Sequence, residues 1–120
     1  MQTSTRRTFL LQSAAAGCTA VLPQVVRATP AADKVTLALI GCGGRGRRFL
    51  EQVDFVCDPD RNRLGRAAES AGVPAQNAVT DLRRILDNPA IDGVIIATPD
   101  HWHAPAAILA CEAGKHVYVE

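Results

Sequence analysis

Beyond residue 32 the chain alternates short apolar runs with segments whose apolar residues recur every three or four positions. Val35-Thr36-Leu37-Ala38-Leu39-Ile40 is nearly all apolar and rich in β-formers. Such a run reads as a strand buried on both faces, as in parallel sheets. Val53-Asp54-Phe55-Val56-Cys57, Asn77-Ala78-Val79, Gly93-Val94-Ile95-Ile96-Ala97 and His116-Val117-Tyr118-Val119 repeat it. Helices are predicted between these runs. The first spans Arg45 to about Gln52. The second covers Arg61–Ala71, capped by Asp60, with Leu64, Ala67 and Ala68 facing inward. The third starts at Thr80 or Asp81 and runs through Asp87, with Leu82, Ile85 and Leu86 inward, before Asn88-Pro89 stops it. In the fourth, Pro105 is expected in the first turn, where its missing N–H is harmless. That helix runs to about Ala113, and Gly114 ends it. The order βαβαβαβαβ, with short connections, predicts an α/β fold with a doubly wound parallel sheet. The sheet is expected to be incomplete at the C-terminus, its last strand lying at or near an open edge.

The first 32 residues follow a different pattern. Arg6-Arg7-Thr8-Phe9-Leu10 leads into a modestly apolar stretch from Leu10 to Leu22, broken by Gln12, Ser13 and Gly17 and ending at Pro23. Basic residues, a short apolar run and then small residues is the order of a signal peptide. The paired arginines resemble a twin-arginine export signal, which implies an exported, periplasmic protein cut after Ala28. An amphipathic helix that stays on the protein is the alternative. Ala15-Ala16-Gly17-Cys18 faintly resembles a lipobox, so lipid anchoring at Cys18 is a minor alternative. The organisation expected is therefore a leader over 1–32 and a partial nucleotide-binding domain over 33–120.

Composition narrows the classes. The formal net charge is +1 and aromatics are 4%, so neither the basic patch nor the stacking platform of a nucleic-acid binder is present. No run of about 18 apolar residues goes unbroken, so no stable membrane span is expected. The four cysteines, Cys18, Cys42, Cys57 and Cys111, form no Cys-x-x-Cys pair and no zinc spacing. Cys42 and Cys57 read as small core-lining residues. His101 and His103 diverge on a helix, so no metal site is expected.

The predicted first strand runs into Gly41-Cys42-Gly43-Gly44-Arg45-Gly46. A Gly-x-Gly-x-x-Gly pattern alone is weak. Between a strand and a helix it reads as the phosphate turn of a Rossmann-like fold. Gly41 permits the tight turn, Gly43 lets backbone approach a pyrophosphate, and Gly46 lets helix and strand pack; Gly44 is a further candidate for cofactor contact. The helix start presents N–H groups to the phosphates. Arg45 adds charge there or is simply solvated. Asp58, ending the second strand, can accept from a ribose diol, which favours NAD; it also reads as a turn or cap residue. Arg61 nearby suits a 2′-phosphate, so NAD or NADP stays open. The crossover is short: Gly41 to Gln52 is 12 residues, near the lower limit of roughly 10–12 for a parallel connection. Asp58 follows Gly46 by 12 residues, where roughly 20 is usual. Either the first helix is short or a piece is missing.

Asp92-Gly93-Val94-Ile95-Ile96-Ala97-Thr98-Pro99, then His101-Trp102-His103, then Ala113-Gly114-Lys115-His116-Val117-Tyr118-Val119-Glu120 complete a second signature. With the glycine turn, these stretches resemble the Gfo/Idh/MocA oxidoreductases. The resemblance implies that Thr98 and Pro99 lie beside the ribose and nicotinamide of NAD or NADP, and that Trp102 and His103 face the nicotinamide pocket. Glu120 is similar to the first residue of the family's Glu-Lys-Pro motif, near the cofactor. Trp102 also reads as a packing residue and His103 as a helix cap. The motif's lysine and the family's substrate domain are not in the sequence, so no catalytic residue is assigned and a fragment is expected. The resemblance implies hydride transfer with a small sugar or polyol. A glycoside hydrolase using NAD transiently and an inactive nucleotide-binding fragment are the alternatives. Oligomerisation is left open.

Overall fold

The computed structural model describes residues 34–120. The leader, its cleavage site and Cys18 lie outside the described residues. Five strands form one parallel sheet: β1 (Leu37–Ile40), β2 (Phe55–Cys57), β3 (Ala78–Val79), β4 (Gly93–Ile96) and β5 (His116–Val119). Their spatial order is β3-β2-β1-β4-β5. The chain moves outward from β1 to β3, then returns across the sheet to place β4 against β1. Strand order therefore reverses between β1 and β4, which pair from Leu37↔Gly93 to Ile40↔Ile96.

The period-2 geometry of a strand sends successive side chains to opposite faces, and two apolar layers result. Ala38, Ile40, Cys57, Val94 and Ile96 pack beneath α2 (Leu82–Leu86) and α3 (Asp100–Glu112), against Ile85, Leu86, Ala106 and Ala110. Leu39, Val56 and Ile95 face the other way, toward α1 (Arg61–Ala71) and the first crossover, meeting Leu50, Leu64 and Ala67. This is the doubly wound, Rossmann-like arrangement that the apolar runs predict. Asp60 caps α1 by accepting from the amides of Asn62 and Arg63, and Asp81 caps α2 through Arg83.

Two elements differ from expectation. The first crossover is not an α-helix but a 3-10 helix, Gly46–Gln52. A four-residue strand is about 13 Å long, and the return to the start of β2 must cover a similar distance. Seven residues advance about 14 Å as a 3-10 helix but only about 10 Å as an α-helix. The shortage of residues thus selects the more extended helix. The fourth helix begins at Asp100, so Pro105 lies inside it and not in its first turn. Pro99 supplies the extended residue before it, and the Trp102 amide donates to the Pro99 carbonyl. The bond that Pro105 cannot make would have gone to the carbonyl of His101. His101 is exposed, so water can serve that carbonyl. Among the described residues no helix is long and apolar enough to cross a membrane.

Candidate functional site

The loops leaving β1 and β4 meet at the strand-order reversal. Ligands of open α/β sheets bind at such points, outside the carboxyl ends of the strands. A backbone bond draws the two ends together, the Ala97 amide donating to the Ile40 carbonyl at 2.8 Å, and the Gly41 amide ties the turn to the end of β2 by donating to the Cys57 carbonyl at 2.8 Å. Gly41 has φ +95°, and a Cβ on it would sit 2.6 Å from the Ala97 carbonyl oxygen. A Cβ on Gly46 would collide with the Gly41 carbonyl oxygen. These two glycines therefore serve packing of turn, strand and crossover. Gly43 and Gly44 differ, because a Cβ on either would meet nothing within 4 Å.

A cleft of about 540 Å³ opens at this junction. Gly41, Gly43, Gly44 and Arg45 form one side, and Asp58 lies at the end of β2. Thr98, Pro99 and His103 form the other side, and Glu120 closes it. Gly46 and Trp102 do not line it. Trp102 is 48% exposed, its ring tilted against His101. Ala97, Asp100 and Arg63 also line the cleft, although the sequence did not single them out. For Arg63 the cue was its position three residues after the Asp60 cap, which turns it toward the strand ends. Arg61, where a 2′-phosphate contact was expected, is exposed and does not line the cleft.

The cleft's polar atoms fall into used and unused groups. Asp58 is 4% exposed. Its Oδ2 accepts from the Cys42 amide and its Oδ1 from the Asp60 amide, both at 2.8 Å. His103 Nε2 lies 2.7 Å from the Thr98 carbonyl oxygen. A carbonyl only accepts, so Nε2 carries a proton and donates it there. Thr98 Oγ1 is buried with no hydrogen-bond partner among the described residues. The amides of Gly43, Gly44 and Arg45 likewise donate to no described group. Buried polar groups are nearly always paired, so an unpaired hydroxyl beside a row of free amides fits a polar ligand bearing phosphates and hydroxyls.

At the mouth, Arg45 Nη1 holds Glu120 Oε1 at 2.8 Å, and Tyr118 donates its hydroxyl to Glu120 Oε2 at 3.1 Å. The bonds from Arg45 and then Tyr118 hold the Glu120 carboxyl below its ordinary range. The same bond and the glutamate charge push the Tyr118 phenol up. Cys42 and Cys57 are buried free thiols, as expected of core-lining residues. Burial, then the charge of Asp58, pushes Cys42 up to about 12. Cys57 is pushed up to about 12 by burial and then by neighbouring Cys42 and Asp58. Neither supplies a thiolate at neutral pH.

Comparison with known proteins gives the fold a family context. Residues 35–120 match the Gfo/Idh/MocA model, described as "Oxidoreductase family, NAD-binding Rossmann fold". A protein of Stenotrophomonas maltophilia named as a glycosyl hydrolase family 109 protein is 42% identical over 135 aligned positions, covering 96% of this chain and 29% of that protein. Those 135 positions exceed the 120 residues of the chain. The relative therefore has residues inside the matched stretch with no counterpart here. Levoglucosan dehydrogenase in complex with NADH superposes with a TM-score of 0.60 at 32% identity, over 71% of this chain and 27% of that one. A 3-ketoreductase from Actinomadura kijaniata in complex with TDP-benzene and NADP gives a TM-score of 0.64 at 25% identity, over 72% and 30%. The chain spans less than a third of each of these proteins.

Proposed function

This chain belongs to the Gfo/Idh/MocA oxidoreductase family, and on that premise we propose that it is the nucleotide-binding part of an NAD(P)-dependent oxidoreductase acting on a sugar or polyol. The carrying observation is the Thr98 hydroxyl, buried and without a partner among the described residues, in a cleft whose facing loop offers three amides that donate to no described group. The Gly43, Gly44 and Arg45 amides would hold the diphosphate, with the guanidinium of Arg45 adding charge. Thr98 and Pro99 would border the ribose and nicotinamide. His103, fixed by its Nε2–H on the Thr98 carbonyl, would keep the β4 end in place. Glu120 would orient Arg45 until an anion competes for it. When bound, the nicotinamide supplies the hydride acceptor or donor; the protein's part is orientation and electrostatics.

Titration of the purified chain with NADH and NADPH tests this, using the fluorescence of its single tryptophan, Trp102. Saturable quenching, reversed by unlabelled NAD or NADP, is expected. Absence of quenching, together with no nucleotide released on denaturation, would sink the reading.

The name of the 42% identical relative favours a second reading, a glycoside hydrolase that uses NAD transiently. It would pass a hydride from the sugar to NAD, eliminate the aglycone beside the resulting carbonyl, add water in its place and then return the hydride. A chimera joining this chain to the remainder of that relative separates the two. Aglycone release without net change in nicotinamide absorbance supports the hydrolase, whereas accumulating NADH supports the dehydrogenase. Export to the periplasm is part of the proposal, and its support is the Arg6-Arg7-Thr8-Phe9-Leu10 run alone. Replacing both arginines by lysine should block export of a fused reporter, and undiminished export would exclude the twin-arginine route.

A further inference from the structure

A line of side-chain contacts crosses the mouth of the cleft. Arg45 leaves the glycine loop, and its Nη1 donates to Glu120 Oε1 at 2.8 Å. Glu120 follows β5, where its amide donates to the Ile96 carbonyl at 3.0 Å. Its other carboxylate oxygen accepts from the Tyr118 hydroxyl at 3.1 Å. The Tyr118 ring in turn meets Phe49 of the first crossover edge-on, with centroids 5.8 Å apart. The glutamate end of the line is thus held through backbone and side chain. The side chain of Glu120 is 18% exposed and that of Arg45 71%, so the arginine is the end that can swing. The Arg45 backbone amide is one of the three in the loop that donate to no described group. Its guanidinium therefore starts beside those amides and is drawn across to the far wall.

A diphosphate held by the loop amides would bring negative charge into a cleft that the Glu120 carboxylate also lines. Arginine meets phosphate and carboxylate with the same fork of N–H donors, so the two anions compete for one guanidinium. We propose that Glu120 is an internal competitor of the diphosphate: it holds Arg45 in a strap across the mouth, and an entering nucleotide opens the strap by taking the guanidinium as its own counter-ion. Tyr118 is a positioning residue that keeps Glu120 in place. The proposal rests on the nucleotide-binding reading above and adds what sets the affinity of that site. An exposed ion pair is weak in water, so the strap lowers affinity modestly and opens readily.

Calorimetry of the full chain with inorganic pyrophosphate, repeated with NADH, tests this on four proteins: the parent, Glu120→Gln, Arg45→Ala and the double variant. Glutamine removes the charge yet can still accept from Tyr118. Glu120→Gln should tighten pyrophosphate by about two- to fivefold, the worth of an exposed ion pair. Arg45→Ala should weaken it by about tenfold, the loss of a charge-assisted bond. The decisive comparison is Glu120→Gln made on the Arg45→Ala background. With Arg45 gone, only like-charge repulsion is left to relieve, so the gain should fall to less than about half. An equal gain on both backgrounds means repulsion alone and overturns the proposal. Weaker binding by Glu120→Gln overturns it too, because Glu120 would then aim Arg45 at the phosphates. Unchanged affinity with a lowered urea midpoint does the same, since the pair would serve only the fold. Tyr118→Phe keeps the ring against Phe49 and the charge on Glu120, and should give a smaller gain in the same direction; a loss or no change there overturns the role of Tyr118. If neither the parent nor Glu120→Gln binds pyrophosphate or NADH, the nucleotide-binding reading itself fails and takes the proposal with it.

Discussion

Replacing Gly41 by alanine should damage the protein far more than the same change at Gly43, two residues away. At Gly41, φ is +95°, and an added Cβ would lie 2.6–2.8 Å from three backbone atoms of Ala97 and Thr98. Left-handed backbone costs an L-residue roughly 1–2 kcal/mol. Overpacking against atoms that cannot swing away adds about 1–3 kcal/mol. The combined cost is about 2–5 kcal/mol by these two terms. A domain of roughly 90 residues has a total stability of about 4–13 kcal/mol, so the change removes a large share of it. With a urea dependence of about 1 kcal/mol per molar, the midpoint should fall by about 2 M or more. Gly43→Ala meets open space and should stay within about 0.5 kcal/mol of the parent, as surface changes do. Its effect should appear in nucleotide affinity. Circular dichroism during urea titration measures both. If Gly41→Ala unfolds within about 0.5 kcal/mol of the parent, the close approach of β1 to β4 is not what the glycine serves.

Lys115 donates to the carbonyls of Asn88 at 2.7 Å and Ile91 at 2.9 Å, so Lys115→Met should cost about 2–3 kcal/mol; an unchanged thermal midpoint would show that water replaces the ammonium. The thiols of Cys42 and Cys57 are raised from 9.0 to about 12 in the fold, so they stay protonated while the unfolded chain begins to ionise. Their stabilising contribution is present below pH 9 and is lost as pH rises toward 12; a denaturant midpoint that stays flat across that window would contradict this. Mass mapping after iodoacetamide at neutral pH should find label on exposed Cys111 but not on Cys42 or Cys57. Arg45→Ala should return the Glu120 carboxyl upward toward its ordinary range, because Arg45 is the larger cause of its depression, and an unmoved NMR titration would show the ion pair to be absent in solution.

The strands were legible because a strand buried on both faces needs an unbroken apolar run, and only a parallel sheet makes that demand repeatedly. Asp60 and Asp81 announced their helices for a local reason, since capping is decided within three residues. Pro105 misled because a proline preference is local, whereas the start of α3 is set by the end of β4 and by the bond from Trp102 to Pro99. The first crossover could be counted as short, but the choice of a 3-10 helix depended on a distance that only the assembled sheet fixes. In the site, the glycine turn and Thr98 were readable from type and position. The burial of Asp58 was not, because both its partners are backbone amides, which leave no trace in residue identity. Arg63 was overlooked for Arg61 because direction around a helix depends on where its first turn begins.

The seam between β1 and β4 also bears on how the molecule assembles. Its neighbouring residues Thr36 and Asp92 bond across a sequence separation of 56, whereas β1 finds β2 within about one crossover. Closing the longer loop costs more entropy, and the β1–β4 seam is what joins two pieces, β3-β2-β1 and β4-β5, into one sheet. The cleft exists only after they join, since its two sides belong to different pieces. A nucleotide lying across it would act as a clasp on that seam: at a hundredfold excess over its Kd it would add about 2.7 kcal/mol to the folded state and slow the parting of the two halves.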